Sequence, residues 1–415
     1  MSDADWKNAT SRNVPRILHA DADAFFVSVA RLVDPEGAGS EPLLIVGGAS
    51  DSRGVVTSAS YETRKFGVRS GMPTAQALRL CPEALCVPVP GSACRDKSRE
   101  IRRVLERLAP IVEPASIDEF YLDLTGTERL YNHVHLSNTA IEIRRTVLEE
   151  TGIAVSIGGG KSRLVAKLAS KSAKPHDGDT TGVMIVEPGG ERSFLERLQL
   201  ADIPGIGPRF QERLAVRGLR SVKDALGLSK EELIEWLGQR GGQWLYNKVR
   251  GVDTAHVAAR SASKSMSHER TFATDLHDDG AIDKELQRLA LNVAADLRAK
   301  GRKARTITVK IRDADFTTRQ ASRTLPSAVS ADSTICETAR KLTTKLRKGR
   351  RLGVRLLGVA VSRFQDDEPH NVQLSLLDSE TTIEEPLLRA VDNINEKFGR
   401  HSIVRASTVG PDTAS

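Results

Sequence analysis

Two carboxylates stand side by side at Asp118-Glu119, four residues after Pro114 and directly before the run Phe120-Tyr121-Leu122-Asp123-Leu124. Pro114 interrupts the apolar run before them and the residues after them read as a returning strand, so the pattern predicts a β-hairpin with the acidic pair at its tip. Adjacent carboxylates repel each other. A divalent cation relieves that repulsion most simply, and an all-oxygen donor set suits Mg²⁺ or Mn²⁺. An isolated Asp-Glu pair would more often be a solvated turn, but a second acidic run, Leu18-His19-Ala20-Asp21-Ala22-Asp23, changes that balance. Ile17 and Leu18 lead into Asp21 and Ala24-Phe25-Phe26 follow it, which places Asp21 at the end of a buried strand. A third carboxylate delivered to a neighbouring strand end would complete a cage for two metal ions about 3.5–4 Å apart. Such a pair clamps the attacking and leaving oxygens of a phosphoryl transfer.

A chain of 415 residues is long enough for two to four domains, each with its own core. Its 61 Lys and Arg against 54 Asp and Glu give a net charge of +7 and a pI near 9.2. The excess is concentrated. Residues 298–312 carry seven basic side chains and no acidic one, and residues 341–355 carry seven more without an acid. A solvated helix face usually mixes signs, so these blocks favour a polyanion, nucleic acid above membrane, over a merely soluble basic surface. Cys81, Cys86, Cys94 and Cys336 show no CxxC spacing and read as reduced structural thiols. The polar N-terminal stretch lacks a signal core, and no run approaches the roughly 18 apolar residues of a membrane span. The expectation is a soluble, cytoplasmic monomer.

Along the chain, Leu43 to Val46 reads as a second strand, and the glycine-bounded segment Ala59 to Pro73 is dense in cations, with Arg53 before it and Arg64, Lys65 and Arg69 within it. A loop and short helix covering a triphosphate would need such charge, although a solvated basic loop fits equally. Ile153 to Ile157 reads as a buried strand ending in Gly158-Gly159-Gly160, followed by a helix from Ser162 to Ala173 that Pro175 closes. That order hints at anion binding, but the spacing is not that of a P-loop. Lys167 and Lys174 are seven apart, on one helical face, and are expected to reach one ligand. Residues 182–252 look like a small helical domain. Within it, Ile203-Pro204-Gly205-Ile206-Gly207-Pro208 reads as a hairpin whose Gly205 and Gly207 let backbone amides approach a DNA phosphate, though an ordinary helix turn is the alternative. After a polar linker, Arg305 to Arg312 alternates cleanly. Ile307, Val309 and Ile311 face a core, leaving Thr306, Thr308, Lys310 and Arg312 as a phosphate-tracking face. Helices near 281–299 and 332–347 and a strand at 356–363 complete a small α+β domain.

In this order the motifs resemble the Y-family DNA polymerases, most closely the DinB, or DNA polymerase IV, branch. The likeness rests on His19 to Phe26, Ala59 to Pro73, Ser116 to Thr125, Ser156 to Pro175, the Ile203 to Pro208 hairpin and Lys264 to Phe272, and it runs from about Arg16 to Phe364. It implies an α+β right-hand fold: palm (1–24 and 91–181), small fingers (25–90), helical thumb with a helix-hairpin-helix (182–252), linker (253–263), α+β little finger (264–365) and a C-terminal tail (366–415). By position, it implies that Asp21, Asp118 and Glu119 bind two Mg²⁺, or Mn²⁺, with the Ala22 carbonyl as an added ligand. Phe25, Tyr61, Arg64 and Lys174 would contact the incoming dNTP, and Phe26 would be the steric gate against a 2′-hydroxyl. Gln373, Leu374, Leu376 and Leu377 look like a peptide that binds a sliding clamp, with a short edge strand as the alternative.

The expected activity is template-directed, error-prone translesion synthesis on primer-template DNA by two-metal phosphoryl transfer. Departures from the family pattern are Ala30 for a common Glu, Phe120 for Ala, and Ser162-Arg163 for Asn-Lys. None removes an implied metal ligand, but Phe120 beside Glu119 could alter the hairpin. A DNA-binding protein that has lost catalysis is the rival from another class, and the intact Asp21, Asp118 and Glu119 argue against it. A nucleotidyl cyclase with a similar palm would have no use for the basic domains at 182–363.

Overall fold

The computed structural model describes residues 14–128, 135–175, 181–258, 262–366, 381–399 and 402–403. The chain divides into two compact units, Met1–Ser261 and Ala262–Ser415. In the first unit the strands are β1 (Ile17–Ala22), β2 (Leu44–Gly47), β3 (Val56–Ala59), β4 (Leu85–Val87), β5 (Ile111–Pro114), β6 (Glu119–Asp123), β7 (Val155–Gly160) and β8 (Val183–Ile185). Five of them form a sheet in the order β5-β6-β1-β7-β8, antiparallel except for the β7–β8 pair.

β1 is the middle strand and both of its faces are covered, so it reads as a nearly continuous buried run. The period of two then sorts its side chains. Leu18, Ala20 and Ala22 enter a core with Phe120 and Leu122 of β6, Leu105 of the helix Gly91–Leu108 and Ile143 of the helix Leu136–Thr151. Ile17, His19 and Asp21 alternate onto the other face, where the helix Arg163–Ala173 lies. Glu119 and Tyr121 share this second face. Phe120 is 1% exposed in the opposite core, so its bulk is absorbed away from Glu119.

Gly158-Gly159-Gly160 belong to β7 itself. A Cβ on Gly158 would come within 1.9 Å of the Ser170 nitrogen and 2.2 Å of the Ala166 carbonyl oxygen. The glycine is therefore the condition for the helix to lie close on the sheet, and the hint of anion binding is replaced by packing.

A smaller sheet, β3-β2-β4, carries the helices Tyr61–Lys65 and Thr74–Leu80 around Ile45, Val56, Val68 and Ala77. A helical part follows, with a core of Leu195, Ile203, Leu214, Val222, Leu233 and Leu245. The sequence 203–208 joins a single 3₁₀ turn, Leu200–Asp202, to the helix Pro208–Ala215. Ser229 and Glu232 form a capping box, and the helix it opens runs to Val249, broken at Gly238. Among the described residues no helix is long and apolar enough to cross a membrane, and all four cysteines are free thiols.

The second unit contains β9 (Ser265–Leu276), β10 (Arg302–Asp313), β11 (Thr318–Val329) and β12 (Val354–Asp366), in the antiparallel order β11-β10-β12-β9. Ile307, Val309 and Ile311 are buried with the helices Asp279–Ala299 and Asp332–Arg347, as their alternation predicts. The described part of the tail includes the helix Thr381–Phe398, whose Asp392 pairs with Arg298. Gln373, Leu374, Leu376 and Leu377 lie outside the described residues.

Candidate active site

The site is built where β1 and β6 end together. Asp21 and Glu119 are register partners across the two strands, and the Ala22 amide donates to the Asp118 carbonyl at 2.9 Å. Asp118 sits in the turn just before β6. Ser116 Oγ accepts from the amides of Asp118 (3.2 Å) and Glu119 (3.0 Å) and contacts the Asp118 carboxylate. The backbone thus brings the three predicted carboxylates to one edge, with the expected hairpin between β5 and β6.

The side chains do not form the expected closed cage. Among the described residues no three acidic, His or Cys side chains converge closely enough to hold a metal ion. Lys174 Nζ donates to Asp21 Oδ1 at 2.7 Å, and Lys167 Nζ donates to both oxygens of Glu119 at 2.6 and 2.7 Å. Lys167 and Lys174, expected to reach one ligand, therefore serve two different carboxylates. Lys174 also stands one residue beyond the helix, in extended backbone. The donor set still fits a hard divalent ion in kind: three carboxylates and a strand-end carbonyl, all oxygen, on a frame that already satisfies its negative charge with cations.

Electrostatics separates the two carboxylates. Burial pushes the Asp21 carboxyl up, against the pull of Lys174. Glu119 is instead held low, at about 2, first by the His19 imidazole and then by Lys167, against its own burial. His19 is 0% exposed, and burial lowers its pKa. Its Nδ1 meets Ser170 Oγ at 2.7 Å, and its Nε2 faces Glu119 Oε2 at 3.9 Å without a hydrogen-bond partner. Ser170 Oγ also donates to the Lys167 carbonyl at 2.9 Å, so His19 fastens the helix turn that carries Lys167.

The turn after β1 brings in the aromatic residues. Ala24 takes a left-handed conformation (φ 43°) as the N-cap of the helix Phe25–Val33. The Phe25 side chain is 2% exposed in the core, so a nucleotide contact from this residue is limited to its backbone. Phe26 is only partly buried and meets Phe25 edge-on at 5.4 Å. Tyr61 and Arg64 arrive from the small sheet on a helix capped by Ser60, whose Oγ accepts from the Thr63 amide. Arg64 Nε donates to the Ala59 carbonyl at 2.9 Å and its guanidinium lies 4.8 Å from the Tyr61 ring centre. Tyr61 OH donates to Asp23 Oδ1 at 3.4 Å, and burial raises the pKa of this phenol.

Asp23 is a site residue to which sequence reasoning gave no role. It is buried, takes a 2.7 Å hydrogen bond from Ser156 Oγ, and links β1, β7 and the Tyr61 helix; burial raises its pKa. Its signal was present, an acid amid apolar neighbours, but Asp21 absorbed it. Arg163, at a departure from the family pattern, makes a bidentate pair with Glu113 (2.7 and 2.8 Å) and lies 4.2 Å over the Tyr121 ring.

Gly205 has φ +100°, and a Cβ there would meet Trp244 at 2.8 Å, so this glycine is required by the turn itself. Gly207 caps the helix Pro208–Ala215 with open space beside it. In the second unit Lys310 pairs with Glu269, and Arg312 Nε donates to Thr318 Oγ1 at 2.8 Å.

Comparison with known proteins agrees with this architecture. The impB/mucB/samB family matches residues 20–171, its C-terminal domain matches residues 263–376, and the DNA polymerase-iota thumb domain matches residues 201–253. DNA polymerase IV of Dehalococcoides mccartyi is 36% identical over 95% of this chain and 98% of that protein. DNA polymerase IV of Halorhodospira halophila is 39% identical over 84% of this chain and 95% of its own length. A solved Y-family DNA polymerase chimera of Dbh and Dpo4 covers 85% of this chain and all of its own, with a TM-score of 0.74 at 25% identity. The insertion ternary complex of Dbh DNA polymerase shares the fold, with a TM-score of 0.58 at 24% identity over 84% of this chain and 98% of its own.

The fold is that of a right-hand polymerase with palm, fingers, thumb and little finger. The chain belongs to the Y-family DNA polymerases, in the DNA polymerase IV branch, and is a DNA-directed DNA polymerase of the translesion type. Enzymes of this family work with divalent metal ions.

Proposed function

We propose that Asp21, Asp118 and Glu119 are the catalytic carboxylates of this polymerase and that, with the Ala22 carbonyl, they hold Mg²⁺, or Mn²⁺ in its place. The observation that carries the reading is the register: Asp21 opposite Glu119, with Asp118 tied to Ala22 by a backbone hydrogen bond. When bound, such ions would supply Lewis acidity toward a primer 3′-hydroxyl and positive charge toward the β- and γ-phosphates of the nucleotide. The substrates are primer-template DNA and a dNTP.

The chain's own residues orient and charge the site. Lys174, Arg64 and Tyr61 bind the triphosphate, the two cations supplying positive charge where negative charge develops. The Phe25 backbone flanks the nucleotide. The Phe26 ring stacks against the sugar and leaves no room for a 2′-hydroxyl. Asp23 sets the Tyr61 helix against β1 through the Tyr61 hydroxyl.

Residues 1–24 and 91–181 form the palm, 25–90 the fingers, 182–252 the thumb, 253–263 the linker and 264–365 the little finger. The amides around Gly205 and Gly207 and the face bearing Lys310 and Arg312 contact DNA phosphates. Gln373, Leu374, Leu376 and Leu377, in the 366–415 tail, bind a sliding clamp. The enzyme acts as a monomer in the cytoplasm, where a bacterial chromosome lies. Primer extension tests the reading: dNTP addition with Mg²⁺ or Mn²⁺ that stops on chelation is expected, and DNA binding without addition under either ion overturns it.

A further inference from the structure

Two of the three carboxylates proposed to hold metal, Asp21 and Glu119, are occupied by the chain's own ammonium groups, and the two lysines are mounted differently. Lys167 projects from a helix held close to the sheet at Gly158 and fastened by the Ser170 bridge between His19 and the Lys167 carbonyl. Its backbone is therefore fixed while its side chain, 33% exposed, spans both oxygens of Glu119. Lys174 lies past the helix end, just before Pro175, and reaches a single oxygen of Asp21. An ammonium is a compact charge on a flexible stem and leaves a carboxylate more readily than a guanidinium fork does.

Resting on the proposed metal assignment, we infer that Lys167 and Lys174 are resident counter-ions that a divalent ion must displace. The two carboxylates then open in separate events. Asp21 is freed when Lys174 turns to the triphosphate of an arriving nucleotide, whereas Glu119 is freed by direct competition between the metal and Lys167. Lys167 is a positioning residue: it holds both oxygens of Glu119 at the strand edge while no metal is there, and it opposes metal binding.

The test is a titration of the full chain with Mn²⁺ alone, free of DNA and nucleotide, reading free Mn²⁺ by electron paramagnetic resonance. A charge at hydrogen-bond distance shifts a carboxylate's proton affinity by a factor of about ten or more, and a competing ammonium should weaken Mn²⁺ binding on the same scale. Lys167→Met and Lys174→Met should therefore each bind Mn²⁺ about tenfold more tightly than wild type. Lys167→Arg keeps the positive charge on a fork that releases a carboxylate less readily, and should bind Mn²⁺ as weakly as wild type or more weakly. Lys171→Met, which removes an ion pair to Asp202 from the same helix, should leave the affinity unchanged. Lys167→Gln replaces Lys167→Met if that variant does not fold by circular dichroism. Equal or weaker Mn²⁺ binding in the folded Lys167 and Lys174 variants overturns the inference. Asp118→Ala plus Glu119→Ala separates the two failures: if it binds Mn²⁺ as wild type does, the metal assignment itself is wrong.

Discussion

The β1–β6 edge of the first unit and the interior of the second use ion pairs in opposite ways. At the β1–β6 edge Asp21 and Glu119 each meet a lysine, part-exposed and on a flexible stem. In the second unit the buried acids Asp313 and Asp332 meet arginines, and so does the part-exposed Asp392. Arg298 Nε and Nη2 grip Asp392 at 2.6 and 2.9 Å while Nη1 binds Asp332 at 2.6 Å. Asp313, 0% exposed, is held by Arg319 at 2.8 and 3.1 Å and by Arg350 at 2.8 Å. A guanidinium fork fixes geometry, and removing its partner strands a charge; an ammonium can be exchanged for another cation. The contrast distinguishes pairs that hold a fold from pairs that wait for a ligand.

Four substitutions probe that contrast, taken from the largest expected effect to the smallest. Asp21→Asn should lower the primer-extension rate on the order of 10³-fold, with an unchanged thermal melt, because the pair it breaks is a functional one; a large drop in melting temperature with activity retained would reverse its class. Asp313→Ala should do the opposite, destabilising the second unit by about 3 kcal/mol in denaturant unfolding, since it leaves Arg319 and Arg350 without their shared acid. Phe26→Leu should raise ribonucleotide relative to deoxynucleotide insertion about tenfold or more, and unchanged sugar selectivity would remove the gate from Phe26. Lys341→Ala breaks an exposed pair with Glu337 one helical turn away and should move neither melting nor activity measurably.

Legibility followed the same division. Asp21 and Asp118-Glu119 could be read because apolar runs lead into them, and strand alternation fixes where such residues end up. Lys167 and Lys174 were assigned to one ligand because spacing by seven puts both on one face. The helix, however, ends at Ala173, about 9 Å along the axis from Lys167, and Lys174 beyond it turns to a different carboxylate. The all-basic blocks at 298–312 and 341–355 looked free for a polyanion because the acids that neutralise part of them are distant in sequence: Asp332 and Asp392 for Arg298, Asp279 for Arg347, Asp313 for Arg350. β9 and β11 were not foreseen. Both are edge strands with mostly exposed, polar side chains, and hydrophobic periodicity is weakest there. The glycine run in β7 misled because close helix packing and phosphate approach demand the same residue.

The most direct test of the assignment is primer extension on a primed template with all dNTPs and Mg²⁺, wild type beside Asp118→Ala plus Glu119→Ala, with DNA binding measured for both. Extension by wild type and none by the double variant is expected, at equal DNA affinity. Extension by the double variant at a rate near wild type would contradict it and move the chemistry away from the β1–β6 edge.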